Sequence, residues 1–129
     1  MDAPLFLTLE EVVQLHAHQI QTYGGSEGLR DLGLLESAVL QPQACFGGQY
    51  LHEDLAAMAA AYLYHIVSNH PFIDGNKRTG MHTADVFLRL NGYDLDLPVD
   101  ETEQLTLGIA TGSVTKEQAA AFFRGLIGD

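Results

Sequence analysis

Positive charge is scarce in this sequence. Only six of its 129 residues are lysine or arginine, against 17 aspartates and glutamates, and the formal net charge at pH 7 is −11. A protein with so negative a field and no basic stripe is poorly suited to bind nucleic acid or an anionic membrane directly. A local cluster of cations in such a chain therefore points to a small, discrete anion.

Cysteine and long apolar runs are also rare. The single cysteine, Cys45, excludes an internal disulfide and a zinc knuckle, and we interpret it as a small loop or core residue rather than a reactive thiol. No run of about 18 residues is free of polar side chains, so no membrane-spanning helix is expected. The opening residues, MDAPLFLTLEE, lack the basic segment of a signal peptide, which predicts a cytoplasmic protein.

The length of the chain predicts one compact domain over residues 1–129. Apolar side chains recur at helical spacing along most of it, and the first helix begins at a capping box of Thr8 and Glu11 and stops at Gly24. Similar start or stop signals predict five further helices. Two cover residues 32–40 and 53–69, and a third runs from about 75–77 to 91 with Gly92 as its C-cap. The last two begin at capping pairs, Asp100 with Glu103 and Thr115 with Gln118.

Two stretches depart from the helical pattern. Residues 41–52 combine a proline and a glycine pair with the β-favouring Phe46 and Tyr50, which predicts a loop or small hairpin and makes this segment the obvious mobile element. Residues 93–97 are predicted as a short strand. By contrast, residues 55–68 carry almost no charge, which is typical of a central helix buried on most sides.

The most informative stretch is SNHPFIDGNKRTG, residues 68–80, in which Pro71 ends one helix before the next begins. Two of the six basic residues, Lys77 and Arg78, stand side by side in the first turn of the second helix, where cations oppose the helix dipole unless an anion accompanies them. Unpaired backbone N–H groups at the helix start, together with Gly75, suit the close approach of such an anion. The pattern predicts a phosphate site.

The other polar residues of this loop fit phosphate chemistry. Asp74 offers the hard oxygen that Mg²⁺ takes beside phosphates, and His70 is the natural general base near neutral pH. Asn76 either orients the loop or donates a further hydrogen bond. Each residue has a structural alternative, because a lone His70 is more often a helix cap, Asp74 a helix N-cap, and the basic pair a solvated turn. Their joint occurrence favours the phosphate site.

The string HPFIDGNKRTG closely resembles the signature of the Fic/Doc superfamily, H-x-F-x-[DE]-G-N-G-R-x-x-R. Six signature positions match, at His70, Phe72, Asp74, Gly75, Asn76 and Arg78. Lys77 replaces the second glycine and Met81 the final arginine, and both departures resemble the Doc branch, the death-on-curing toxins. Residues 23–48 and 86–95 also resemble Doc relatives, so the similarity covers nearly the whole chain.

This resemblance implies an all-α fold, a Fic-type bundle of about six helices with a small β-hairpin flap at about 43–52 that aligns a protein substrate. It implies ATP and Mg²⁺ as cofactors, with Asp74 as the metal ligand. The catalytic residues would be His70, Lys77 and Arg78, and the nucleotide-binding residues Gly75, Asn76, Lys77, Arg78 and His82. From its position alone, His82 either contacts the nucleotide or caps the groove, and both interpretations stay open. Phe72 would be a core anchor for the loop.

Two chemistries occur among proteins with this signature. Members with the full pattern transfer AMP from ATP to a hydroxyl, whereas the Doc branch transfers the γ-phosphate to a threonine of elongation factor Tu and halts translation. Lys77 narrows the anion hole and adds charge where a terminal phosphate would sit, and Met81 removes a contact that AMP transfer uses. A Doc-like kinase toxin is the favoured function, with an AMP transferase or a catalytically silent antitoxin-binding homologue as the alternatives.

The resemblance also implies a partner. Doc toxins pair with an antitoxin protein in trans, whose disordered tail folds into a groove on the toxin. Other Fic proteins carry an inhibitory helix with an S/T-x-x-x-E-[GN] pattern, and the nearest candidate here, Thr22 to Gly28, has one residue too many. The sequence does not identify the antitoxin.

The remaining charged and ring side chains have structural interpretations. His16 and His18 lie two residues apart on the first helix and should point to different sides, which disfavours a shared metal. His65 should pack away from the signature loop. Asp85 and Arg89 are spaced for a surface salt bridge within one helix.

Overall fold

A computed structural model describes residues 3–128; residues 1, 2 and 129, the ends of the predicted single domain, lie outside the described residues. The described part contains six α-helices: α1 Leu9–Tyr23, α2 Leu32–Leu40, α3 Leu55–Asn69, α4 Asn76–Leu90, α5 Val99–Thr111 and α6 Lys116–Ile127. A 3-10 helix, Gln41–Gln43, and two strands, β1 Cys45–Phe46 and β2 Gln49–Tyr50, lie between α2 and α3. The predicted all-α bundle of about six helices with a small hairpin is confirmed.

Helix α3 is the centre of this bundle. Its buried side chains, from Ala56 to Val67, lie around its circumference rather than on one face, and it packs mainly against α4 and α6. On α4, Gly80 allows close approach, since a Cβ there would lie 3.1 Å from Val67 Cγ2 and 3.3 Å from the Leu63 carbonyl oxygen. The central position predicted from the low charge of this helix is confirmed.

Local signals set most of the helix ends. The capping boxes at Thr8 and Thr115 both form, with their hydroxyls accepting hydrogen bonds from the backbone N–H groups of Glu11 and Gln118. The start predicted at Asp100 is wrong, because α5 begins at Val99 after the extended residue Pro98. Asp100 therefore lies inside the first turn, where its charge complements the helix dipole.

The strand predicted at 93–97 is also wrong. The sheet of residues 3–128 consists of β1 and β2 alone, which pair antiparallel with Cys45 opposite Tyr50. Residues 93–97 run between α4 and α5 as irregular chain, and Leu95 packs against the core. Without a neighbouring strand to accept its backbone hydrogen bonds, a β-favouring sequence does not form a strand.

The hairpin predicted within residues 41–52 forms, and it exposes apolar side chains. Phe46 is 81% exposed, whereas Tyr50 leans on Phe6 with ring centroids 5.7 Å apart. Cys45 is exposed in β1, so it is a surface residue and not a core one. Among the described residues, none of the helices has the length and apolar character required to cross a bilayer.

A cluster of three basic side chains joins the end of the hairpin segment to the bundle. The Lys116 ammonium of α6 lies 3.2 Å from Nε2 of His52 and 3.2 Å from Nε2 of His65 on α3. An ammonium only donates, so both rings accept and are neutral. Burial, assisted by the charge of Lys116, lowers the pKa of His52 and lowers that of His65 to about 4. His65 thus packs away from the signature loop, as predicted.

Candidate active site

The signature residues lie in the loop between α3 and α4 and in the first turn of α4. His70 is the C-cap of α3 and has left-handed backbone angles, φ 49° and ψ 54°, the only positive φ of a non-glycine among the described residues. Phe72 is buried and stacks on His16 of α1, with ring centroids 3.7 Å apart. The prediction that Phe72 anchors the loop in the core is confirmed.

Asn76 holds the loop from inside. Its Oδ1 accepts from the Phe72 backbone N–H at 2.9 Å, and its Nδ2 donates to the Phe72 carbonyl at 2.9 Å and to Nδ1 of His70 at 2.9 Å. The two Phe72 contacts fix which end of the amide is nitrogen, so Nδ1 of His70 must accept. In the neutral ring the hydrogen is therefore on Nε2.

The carboxylate of Asp74 is tied to the segment that follows α1. Its Oδ2 accepts from the Ser26 backbone N–H at 3.0 Å and its Oδ1 from the Gly75 N–H at 2.8 Å, and these two bonds are the main causes that lower its pKa. Gly25 has φ +120°, a conformation that side-chain-bearing residues rarely adopt, and a Cβ there would lie 2.7 Å from Oδ2, so glycine is favoured there. The alternative of Asp74 as an N-cap is wrong, because Gly75 occupies that position.

The basic pair stands exposed at the start of α4. Arg78 donates to the Gly24 carbonyl at 3.1 Å, and its guanidinium carbon lies 5.4 Å from the centroid of the Tyr23 ring. Arg78 is thus anchored to the end of α1 and is not simply solvated. Lys77 forms no salt bridge with a carboxylate of residues 3–128. Its charge stays available beside the unpaired N–H groups of the first turn.

A groove of about 550 Å³ runs beside α4, between α1 and α5. Its α4 wall carries Lys77, Arg78, Met81 and His82. Burial is the main cause that lowers the pKa of His82, whose ring lies 6.4 Å from that of the exposed His18. The lining does not include His70 or Asp74, so the predicted site residues are divided between the loop and this adjoining groove.

Contacts from distant parts of the sequence support the loop. His16 binds the Asp74 carbonyl through Nε2 at 2.8 Å, and its neighbour His18 faces elsewhere, as predicted. The segment 24–31 lies along the loop, where Ile73 N–H donates to the Gly28 carbonyl at 3.0 Å. Sequence reasoning missed these contacts. The position of His16 on the apolar face of the first helix was the one usable signal.

The comparison with known proteins agrees with this architecture. The sequence model of the Fic/DOC family matches residues 6–88, which include the whole signature loop. The chain belongs to the Fic/DOC family.

Two relatives extend the match over most of the chain. "Protein kinase doc" of Escherichia phage P1 is 38% identical over 120 residues, covering 92% of this chain and 93% of the relative. "Toxin Doc" of Mycolicibacterium smegmatis is 40% identical over 105 residues, covering 80% of this chain and 81% of the relative. The resemblance to the Doc branch is confirmed.

Proposed function

We propose that this chain is a Doc-like toxin that transfers the γ-phosphate of ATP to a threonine or serine hydroxyl of a protein, with elongation factor Tu as the target, and so halts translation. The carrying observation is the placement of Lys77 and Arg78 at the N-terminus of α4, a few residues after His70. Two adjacent cations at the positive end of a helix dipole are stabilised by an anion, and a phosphate chain supplies one. The name of the phage relative, "Protein kinase doc", supports the kinase activity, and the name of the mycobacterial relative, "Toxin Doc", supports the toxin role.

The phosphates would bind at the start of α4. Thr79 is the first residue of this helix whose N–H reaches back, to the Gly75 carbonyl at 2.9 Å, which leaves the N–H groups of residues 76–78 free of intrahelical partners. Lys77 adds a point charge and Arg78 a planar donor fork. We assign nucleotide binding to Gly75, Asn76, Lys77, Arg78 and His82.

The carboxylate of Asp74 is suited to bind Mg²⁺. The carboxylate is exposed, and its lowered pKa keeps it ionised at neutral pH. Among residues 3–128, no group of three or more histidine, cysteine or acidic side chains converges as a ligand set. This suits an ion that is bound through one or two carboxylates and completes its shell with phosphate oxygens and water. When bound, Mg²⁺ would neutralise charge on the phosphates.

His70 is the proposed general base. The hydroxyl oxygen of the substrate attacks the γ-phosphorus while its proton moves to His70, and the bond from the γ-phosphorus to the bridging oxygen breaks, releasing ADP. In the resting ring the lone pair is on Nδ1 and accepts from Asn76. The His70–Asn76 hydrogen bond must therefore open before the proton is taken, which frees one N–H of Asn76 to face a phosphate.

An antitoxin in trans is the proposed partner, and the word "Toxin" in the name of the mycobacterial relative supports it. The decisive test of the activity is incubation of the purified protein with elongation factor Tu and ATP labelled separately at the α and γ phosphates. Transfer of γ-label alone is expected. Transfer of α-label would establish AMP transfer instead, and no transfer, with His70→Ala behaving like the unmodified protein in cells, would favour a silent antitoxin-binding homologue.

A further inference from the structure

His70 holds an unusual backbone conformation for a side-chain-bearing residue. Left-handed angles crowd the Cβ of any residue except glycine, so they persist where neighbouring groups impose them. The C-terminal end of α3 also leaves carbonyl groups without helical partners. The side chain of Arg30, 40 positions earlier in the sequence, binds these free carbonyls and so holds the strained backbone of His70 in place.

The guanidinium of Arg30 donates hydrogen bonds to the two peptide groups on either side of the His70 Cα. Its Nε donates to the His70 carbonyl at 2.6 Å, and a terminal nitrogen donates to the Asn69 carbonyl at 2.8 Å. The backbone N–H of Arg30 donates in addition to the Pro71 carbonyl at 2.7 Å. Three consecutive carbonyls are thus bound by one residue.

The backbone of Arg30 leads directly into the start of α2, to which the loop is also linked. The next residue, Asp31, is the N-cap of α2, and its Oδ1 accepts from the Leu34 N–H at 2.9 Å. Asn69 makes a second link to the same helix by donating to the Leu34 carbonyl at 2.9 Å. Arg30 forms no salt bridge with a carboxylate within residues 3–128, so its donors are directed at the backbone of the loop.

We propose that Arg30 is a positioning residue for His70. The peptide group before the Cα sets φ and the peptide group after it sets ψ, so holding both fixes the direction of the Cα–Cβ bond. Arg30 therefore sets the backbone of His70 while Asn76 sets its ring. Arg30 lies outside the signature, and the proposal rests on the proposed function only where activity is the readout.

The test compares Arg30→Ala, Arg30→Lys and a matched control, Arg89→Ala, which removes another exposed arginine that pairs with Asp85 and Asp94 and makes no hydrogen bond to the signature loop among the described residues. The first readout is the ¹⁵N spectrum of the His70 imidazole. The unmodified protein and Arg89→Ala should show one tautomer with hydrogen on Nε2, and Arg30→Ala should show a mixture of tautomers. Lysine keeps the charge but loses the planar fork, so it should restore the single tautomer in part at most.

The second readout is the kinetic split. Arg30→Ala should lower kcat by about 10²-fold, the effect of a small misplacement of a reacting group, and leave KM for ATP unchanged. A wild-type His70 spectrum and kcat in Arg30→Ala would overturn the proposal, as would an equal effect of Arg89→Ala. If Arg30→Ala does not fold, Arg30→Lys and Arg30→Gln are compared by the same spectrum, and wild-type spectra in both would overturn it. If the unmodified protein transfers no phosphate, the proposed function fails, while the spectrum still decides the role of Arg30.

Discussion

The amide of Asn76 donates a hydrogen bond to Nδ1 of His70 at 2.9 Å, and both backbone groups of Phe72 hold that amide in place. The signature thus contains a buried residue whose contacts are with the loop itself. Asn76 is 5% exposed, so in this state its side chain serves the geometry of the loop before it serves any ligand. The backbone N–H of Asn76 is free to contact a phosphate in this state, whereas a contact through its side-chain amide requires the arrangement to change.

Replacement of Asn76 tests this arrangement. Asn76→Ala leaves the buried backbone groups of Phe72 without their partner, which should lower the free energy of unfolding by about 1–3 kcal/mol. It should also release His70 from a single tautomer, as measured by ¹⁵N NMR of the imidazole. Asn91→Ala is the matched control, because it removes side-chain bonds to Leu5 and Phe87 but none to the loop. A single unchanged tautomer in Asn76→Ala would contradict the assignment.

Loss of the proposed general base, His70, should affect the rate of transfer and not nucleotide binding. His70→Ala is expected to lower phosphate transfer by about 10²–10⁴-fold, because the attacking hydroxyl loses its proton acceptor. Nucleotide affinity, measured by calorimetric titration, should stay within about twofold of the unmodified value, since a general base acts on the hydroxyl and makes no phosphate contact. Transfer that survives His70→Ala would assign the base to another group.

Both members of the basic pair should affect nucleotide binding, and Arg78 should affect stability as well. Lys77→Ala should weaken nucleotide binding without changing the melting temperature, because Lys77 has no carboxylate partner among the described residues. Arg78→Ala should weaken binding too, and it should also loosen the end of α1 through loss of the Gly24 contact. Calorimetric titration and thermal unfolding of both variants separate the two effects. Normal nucleotide affinity in both variants would show that Lys77 and Arg78 do not bind the nucleotide.

Asp74→Asn should separate metal binding from loop stability. Transfer should fall by more than about tenfold, because a metal-held charge stabilises the transition state by several kcal/mol, and the requirement for Mg²⁺ should rise. Asp94→Asn, a change of another exposed carboxylate, is the control.

The same substitution has a pH signature. The native pKa of Asp74 lies below its ordinary value of 3.8, so its stabilising contribution is present above that pH and is lost as the pH falls through the native value. Asp74→Asn should therefore flatten the acid side of the melting profile. Unchanged Mg²⁺ dependence together with a lowered melting temperature at neutral pH would make Asp74 a structural residue only.

Stability should also fall on mild acidification because of His65. In the unfolded chain His65 takes up a proton near pH 6.5, but in the native protein it does so only near pH 4. The contribution of the neutral ring to stability is therefore complete above pH 6.5 and is lost as the pH falls towards 4. The difference corresponds to at most about 3 kcal/mol, and partial exposure of the ring reduces the expected value to about 1–2 kcal/mol.

A pair of variants measures that contribution. His65→Gln keeps an acceptor for Lys116 without a titrating ring, so its free energy of unfolding should change less between pH 7 and pH 5 than that of the unmodified protein. His18→Gln, at an exposed position, should keep the full pH dependence. Equal slopes for all three proteins would show that His65 is not protonated on unfolding.

Short-range signals explain what the sequence predicted correctly. The capping pairs at Thr8 and Thr115 and the stop before Pro42 involve residues within one turn of one another, so they are visible in any short window. The family signature was recognisable in the same way, because its residues are contiguous, and the family match covers it. The strand at 93–97 failed since a strand depends on a partner that no local pattern supplies.

Long-range contacts explain what sequence reasoning missed. The partners of the loop come from 40 to 58 positions away, as with Arg30 at His70 and His16 at Asp74. Their residue types gave only weak hints: Arg30 is one of six basic residues, and His16 interrupts an apolar face. The prediction that Arg78 faces a ligand also omitted its contact with Gly24, which no spacing rule indicates.

Gly80 allows α4 to pack closely against α3. The proposed base, His70, lies at the end of α3 and the two cations at the start of α4, and these helices meet where Gly80 faces Leu63 and Val67. A methyl group there would press on a backbone oxygen at 3.3 Å, which cannot yield as a flexible side chain can. Gly80→Ala would therefore force α3 and α4 to adjust by a few tenths of an ångström where they touch. The close packing of α3 on α4, the two helices that carry the proposed base and the basic pair, thus depends on a residue that has no side chain.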